Sequence, residues 1–259
     1  MLNSIESAKL KLVRATEHIK TIRQYVAAYA GRDPHRVTPQ PHGTDKISVG
    51  EEPPPQISIL TGEVIYQLRS IMDHLAFDLV KMNSGNIQLP ADWEECCFFP
   101  LWLDVPKKST AYNCFSHTLP GIPKQAFAFI EGVQPYRGGA IGTHLRLLAN
   151  LSNIDKHRYP NLTKARLSIN ERITTSRGWY TSIRPIDDGT ELGPVADTWL
   201  DGREPVEVER SFTSNVSFAE PILDGWTKYQ VPVEEAIQFL LDDVNLIIVP
   251  AFDEFFNNP

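Results

Sequence analysis

Cysteine is scarce in this chain of 259 residues: Cys96, Cys97 and Cys114 are all there is, an odd number too small for a disulfide framework. Long apolar runs are missing as well. The longest near the C-terminus, "VNLIIVPAF", falls far short of the ~20 residues a membrane span requires and is interrupted by Pro250. The first twenty residues contain Glu6, Lys9, Lys11, Arg14 and Glu17 where a secretory segment would be apolar. These absences predict a cytoplasmic protein with no membrane association. Positive charge is also in deficit, 25 Lys and Arg against 32 Asp and Glu, for a net charge of −7 and a pI near 5.5. That excludes the broad basic surface of non-specific duplex binders and leaves room only for a local basic pocket. There is no phosphate-binding P-loop, dinucleotide fingerprint or Gly-x-Ser-x-Gly elbow, and no internal repeat.

What is present reads as helix, then strand, then helix. Ile5, Ala8, Leu12, Ala15, Ile19, Ile22, Val26 and Tyr29 recur in steps of three and four, the seam of a long helix packed on another helix inside a bundle or across a dimer axis. Residues 32 to 56 hold Pro34, Pro39, Pro41 and Pro53 to Pro55, which predict a long irregular loop. A second helix spans 62 to 80, with Val64, Leu68, Ile71, Leu75, Leu79 and Met82 as its buried face. Residues 86 to 122 look irregular, with "CCFFPLW" as an apolar plug, and 123 to 131 add a short helix. A third long helix is expected over 142 to 157, capped by Thr143 and limited by Pro160. Between 162 and 221 β-branched and aromatic segments separated by turn residues predict an antiparallel meander. From Val233 to about Ile248 helical spacing returns behind Pro232. The expected fold is therefore α+β: one domain over 1–259, with a helical bundle from 1–160 and 232–259 and a β-meander insertion over 161–221, before a C-terminal helix.

The second helix raises the functional question. Arg69 and Asp73 share a side at i, i+4, while His74 lies roughly 140° from Arg69, with Glu63, Tyr66, Ser70 and Phe77 filling the arc between. A solvated face more typically carries Lys and Glu, so this mixture of polar groups and aromatics predicts packing against another polar element. In the third helix Arg146, Asn150, Asn153 and His157 fall within about 40° to 60° of one another. Asn is a poor helix former, and its repetition there implies side-chain partners. The two faces are expected to meet in a buried network of Arg69, Asp73, His74, Asn153, Asp155 and His157, with Lys156 and Arg158 at the rim. Such a network serves either as a structural clamp or as a site for a phosphate or carboxylate. Arg146, Asn150, Asn153, Lys156, His157 and Arg158 would then be the binding residues.

Arg69 and His74, separated by four residues in a helix, match the Arg-x4-His pattern of the HEPN ribonuclease superfamily. "LRSIMDHLAF" together with "NIDKHR" also resembles a widespread group of uncharacterised bacterial proteins that share both signatures. The superfamily resemblance implies a metal-independent endoribonuclease of toxin or defence type, without cofactor, acting on RNA. His74 would be the general acid or base, Arg69 would stabilise the phosphorane, and Asp73 would complete the catalytic set. It also implies a homodimer that brings two copies of the motif together. Ser70 follows Arg69 where the superfamily more often has Asn, Asp or His. The competing reading is a non-catalytic module that binds a protein partner or a small anion, with the Arg/Asp/His network structural. Cys96, Cys97, Cys114 and His117 have one chelating spacing but adjacent cysteines are awkward ligands, so no metal is expected. Gly138, Gly139 and Gly142 read as a flexible turn ahead of the third helix.

Overall fold

The computed structural model describes residues 3–41, 44–86, 92–105, 118–157, 163–175, 178–193, 207–218 and 231–257. Its first helix, α1 (Ser4–Ala30), starts on a capping box: Asn3 Oδ1 accepts from the Glu6 N–H at 2.8 Å, and Glu6 Oε2 accepts from the Asn3 N–H at 3.1 Å. All eight residues of the heptad seam are buried. They face α2 (Pro55–Asn83), which runs antiparallel to α1, because Ser4 bonds Asp78, Lys11 meets Ser70 and His74, and His18 meets Glu63. Helix α2 begins seven residues before the expected 62. Pro55 stands in its first turn, where the missing N–H costs no helical bond. Its predicted buried face holds except at Met82, which is 41% exposed. Since the first residue of α1 already lies at Asp78, Met82 projects beyond its partner helix.

The proline-rich stretch is not the irregular loop that its composition predicts. It contains an antiparallel hairpin, β1 (His35–Pro39) with β2 (Asp45–Val49). Proline excludes helix but is admitted at strand ends on a sheet edge, where Pro39 stands. The short β5 (Thr190–Leu192) completes this sheet beside β2. The second sheet has the order β4-β3-β6, with β3 (Thr163–Thr175) between β4 (Gly178–Ile186) and β6 (Glu207–Phe218), all antiparallel. The expected meander is thus interrupted: β3 and β4 form a hairpin, β5 joins the other sheet, and β6 returns beside β3. Ile47, Leu167, Ile169, Ile186 and Leu192 form a small apolar core between the two sheets.

After α3 (Trp93–Cys96), α4 (Lys124–Gly132) and α5 (Gly139–His157), the chain ends in a helix longer than its spacing predicts. Helix α6 (Val233–Asp243) runs through a π turn (Val244–Ile248) into α7 (Val249–Asn257). The wider turn, closed by the Val249 N–H donating to the Val244 carbonyl, explains how Pro250 is accommodated without ending the helix. The main core is shared by α1, α2, α4, α5, α6 and α7, with Val216 and Phe218 of β6 joining it. Among the described residues, no helix is long and apolar enough to cross a membrane. The fold is mixed, a helical bundle with two small antiparallel sheets and a C-terminal helix after the strands, as the sequence pattern predicts.

Candidate functional site

The polar face of α2 divides into two parts with different chemistry. In the first, Arg69 Nε donates to Asp73 Oδ2 at 3.1 Å, Arg69 Nη2 lies 2.9 Å from Asp73 Oδ1, and Nη2 also donates to the Phe99 carbonyl at 2.6 Å. Asp73 Oδ1 in turn accepts from the Phe99 N–H at 3.0 Å. The pair therefore satisfies both backbone groups of one residue in the segment 97 to 105. Gln134, fully buried, grips the same segment: its Nε2 donates to the carbonyls of Pro100 and Ile130, each at 2.9 Å, and its Oε1 accepts from the Trp102 N–H at 3.0 Å. Arg146 of α5 adds a bond from Nη2 to the Leu103 carbonyl at 2.7 Å. Irregular backbone in a partly buried segment needs partners for its N–H and C=O groups, and these side chains supply several of them. Burial lowers the pKa of Arg69, while Asp73 opposes the shift, and a guanidinium stays charged in either case.

The second part lies one residue further round the helix, about 100° from the first. His74 is exposed, and its Nδ1 sits 3.0 Å from Lys11 Nζ, which also donates to Ser70 Oγ at 2.7 Å. With Lys11 charged and donating to Nδ1, the neutral ring carries its proton on Nε2. Burial lowers the pKa of Lys11, with Asp73 opposing. Beside these groups is a pocket of about 250 Å³ lined by Ile65, Tyr66, Arg69, Ser70, Asp73 and His74 of α2 and Ser152 of α5. A roomier cleft of about 420 Å³ shares Tyr66 with it, but its charged groups are committed: His18 Nε2 lies 3.2 Å from Glu63 Oε2, and Arg14 Nη1 lies 3.3 Å from Glu17 Oε2. Of the two, the smaller lies beside the Lys11, Ser70 and His74 cluster.

The expected single network is thus two separate sets. Arg69 and Asp73 join Arg146 and Gln134 in holding the segment 97 to 105, while His74 turns to Lys11. Asn150 is half-buried and Asn153 is exposed, so the α5 stripe does not face α2 as a unit; Ser152 takes that place. The reason is rotational, since Leu145, Leu148 and Leu151 go into the core and set which side chain falls at the α2 seam. The side chains of Asp155, Lys156 and His157, and the whole of Arg158, lie outside the described residues, as do Cys114 and His117. Lys11 was legible only as a residue flanking Leu12 of the heptad seam, the position from which long side chains reach the partner helix. Nothing in the local sequence marks Gln134.

The glycines before α5 make a tight turn. Gly138 and Gly139 adopt φ of 69° and 68°, and a Cβ on Gly142 would come within 3.1 Å of the Gln134 carbonyl. Arg137 beside them is paired with Glu131. Among the described residues, no group of three or more His, Cys, Asp or Glu is arranged to hold a metal ion.

Cys97, the first residue of the segment 97 to 105, is buried, and burial first, then the Asp73 and Asp78 carboxylates, push its thiol from 9.0 up to about 12. Burial likewise raises the Tyr29 phenol from 10.0 to about 12. Both groups keep their proton longer in the folded state, so the stability they contribute is whole below their unfolded pKa and is lost as pH rises toward the folded value. Lys11 has the opposite sign, gaining stability as pH rises from its lowered folded value toward 10.5. The expected balance is a melting temperature that falls once pH exceeds the thiol's unfolded value of 9.0. In Cys97→Ala the fall between 9.0 and 10.0 should be shallower, because the Cys96 thiol, also raised, still contributes, and Tyr29 joins above 10.0. Melts across this range check it, and identical curves for the two proteins would remove Cys97 as the cause.

No protein-family model, curated protein or solved structure matches this chain.

Proposed function

We propose that the pocket on α2 binds a small oxyanion, a phosphate or carboxylate, through Lys11, Ser70 and His74, and that Arg69 and Asp73 are structural. The observation that carries this reading is the cluster of Lys11 Nζ with Ser70 Oγ at 2.7 Å and His74 Nδ1 at 3.0 Å beside an open pocket. The carboxylate in the lining, Asp73, is engaged with Arg69 and the Phe99 N–H, so an ammonium, a hydroxyl and an imidazole remain to meet an anion. A bound anion would also offset the cost of holding a partly buried ammonium. We place the protein in the reducing cytoplasm on its small, odd number of cysteines.

Inorganic phosphate is expected to raise the melting temperature of the wild type by mass action. Lys11→Met and His74→Ala should abolish that rise while shifting stability in buffer by no more than about 1 kcal/mol, the size of the hydrogen bonds removed. An equal phosphate response in all three proteins would end the proposal.

The exposure of His74 favours a second reading, an HEPN-like, metal-independent endoribonuclease of toxin or defence type. As the phosphate draws the Lys11 ammonium away from Nδ1, His74 would take the proton of an RNA 2′-hydroxyl at Nδ1 while that oxygen attacks phosphorus, and the 5′-oxygen released from phosphorus would take the Nε2 proton of the resulting imidazolium. Here Lys11 replaces Arg69 as the cation facing the phosphorane, because the Arg69 guanidinium is spent on Asp73 and Phe99. Its test is cleavage of a mixed RNA pool in EDTA, with 2′,3′-cyclic phosphate ends as the product and loss of cleavage in His74→Ala. An inert wild type counts against this reading and leaves phosphate binding to be judged by the melts.

A further inference from the structure

Strand β4, "GWYTSIRPI", is an outer strand of its sheet, and the first seven of its nine residues are exposed. Among the described residues no strand pairs with its outer side. The sheet's other outer strand, β6, packs beside α1 and α6. An uncovered edge presents unpaired N–H and C=O groups, and proteins usually blunt it with central charges, a bulge or proline. This one is poorly blunted. Its single charged residue is Arg184, which leans toward Glu171 at 3.6 Å, and its proline, Pro185, stands next to the end. Large apolar groups are left in water along it: Trp179 at 61%, Tyr180 at 37% and Ile183 at 73% exposure.

We infer that this edge pairs with the same strand of a second copy, antiparallel about a two-fold axis through Ser182, joining the two three-stranded sheets into one of six strands. Ser182 is the midpoint of Gly178–Ile186, so this register pairs the strand over its whole length. It sets Trp179 against Pro185, Tyr180 against Arg184 and Thr181 against Ile183. Each is a favourable cross-strand match: a ring on a ring, a guanidinium on an aromatic face, and two β-branched side chains. Faces also agree. In the register with β3, Trp179, Thr181, Ile183 and Pro185 oppose Thr174, Arg172, Asn170 and Ser168 on one face, while Tyr180, Ser182 and Arg184 share the face of Glu171. Moving the axis by two residues to Arg184 would place that arginine against its own copy, a like-charge pair that the Ser182 register avoids. The charge pattern therefore excludes the shift to Arg184, and pairing over the full strand length favours Ser182 as the axis. This interface is separate from the long helices, whose heptad seam is already filled within one chain.

Seven exposed strand residues cover less than the roughly 800 Å² per partner of a standard interface, so the dimer should dissociate on dilution. Sedimentation of the full chain over a wide dilution series is expected to show a monomer–dimer equilibrium. Ile183→Lys should weaken it at least about tenfold, because the two-fold axis counts the substitution twice. Ser182→Cys gives a reading independent of affinity. At the axis, the residue and its copy come within disulfide reach and should form a crosslinked dimer under mild oxidation. Thr181→Cys should not, since its sulfur partner would be about 8 Å away across the ladder. Wild type run in parallel accounts for the native cysteines. A chain that stays monomeric throughout overturns the inference, and so does a dimer that ignores Ile183→Lys and leaves Ser182→Cys uncrosslinked.

Discussion

Asp73→Ala is expected to lower the melting temperature by on the order of 10 °C, corresponding to about 3 kcal/mol for a chain of this size. The loss has two sources. Arg69, whose side chain is only 15% exposed, would keep its charge without a counterion, and the Phe99 N–H would lose its acceptor. Breaking a buried ion pair from one side costs more than removing the pair, because the remaining charge stays desolvated. The figure is set below the full cost of a buried pair because the Asp73 side chain is 30% exposed and water can reach it. Arg69→Met together with Asp73→Leu should accordingly lose less than the sum of the single changes, a coupling that a double-mutant cycle by thermal or urea unfolding reads directly. If Asp73→Ala melted within a degree of wild type, the pair would be a surface contact and Arg69 would again be available to meet a substrate. His74→Ala is the contrasting case: an exposed residue whose removal should cost function and hardly any stability. The two measurements together separate the half of the Arg-x4-His motif that holds the fold from the half that faces the pocket.

This division could not be read from the chain, and the reason is geometric. Apolar spacing reports which side of a helix turns inward, so the seam from Ile5 to Tyr29 and the buried leucines of α2 and α5 were legible. It does not report which polar neighbour waits on the flank. Lys11 meets His74 across 63 positions of sequence, and Gln134 meets Trp102 across 32; neither pairing leaves a local mark. The Arg69 and Asp73 spacing at i, i+4 correctly predicts their pairing. That the pair also captures Phe99 depends on the path of the segment 97 to 105, which periodicity cannot describe. Asn153 departs from expectation for a related reason: a stripe of amides predicts buried partners, whereas the Asn153 side chain is exposed. Proline composition misleads in the same way. It excludes helix interiors, but the hairpin of β1 and β2 and the helix running past Pro250 both accommodate it, one at a strand end and the other behind a π turn.

Phe252→Ala should be the most destabilising single change considered, costing about 3 to 5 kcal/mol, a large part of the ~5 to 15 kcal/mol that holds a typical domain together. Phe252 has no exposed surface, and its ring lies 5.8 Å from that of Phe255, 6.2 Å from Phe99 and 6.3 Å from Phe256. Truncation would leave a cavity bounded by aromatic rings that cannot close in without moving α7. Phe239→Ala is the internal standard: 42% exposed and stacked on His144, it should cost far less. Urea titration of the two variants against wild type makes the comparison, and similar midpoints for both would mean that α7 does not close the core as described. Phe252 also bears on the site. The side chain of Phe99 packs on it, while the backbone of Phe99 is held by Arg69 and Asp73, so one residue is fixed from opposite directions. Phe252→Ala combined with Asp73→Ala should therefore depart from additivity, since each change frees Phe99 to move and lessens what the other can remove. Additive losses would mean that the C-terminal helix and the polar clamp stabilise the chain independently.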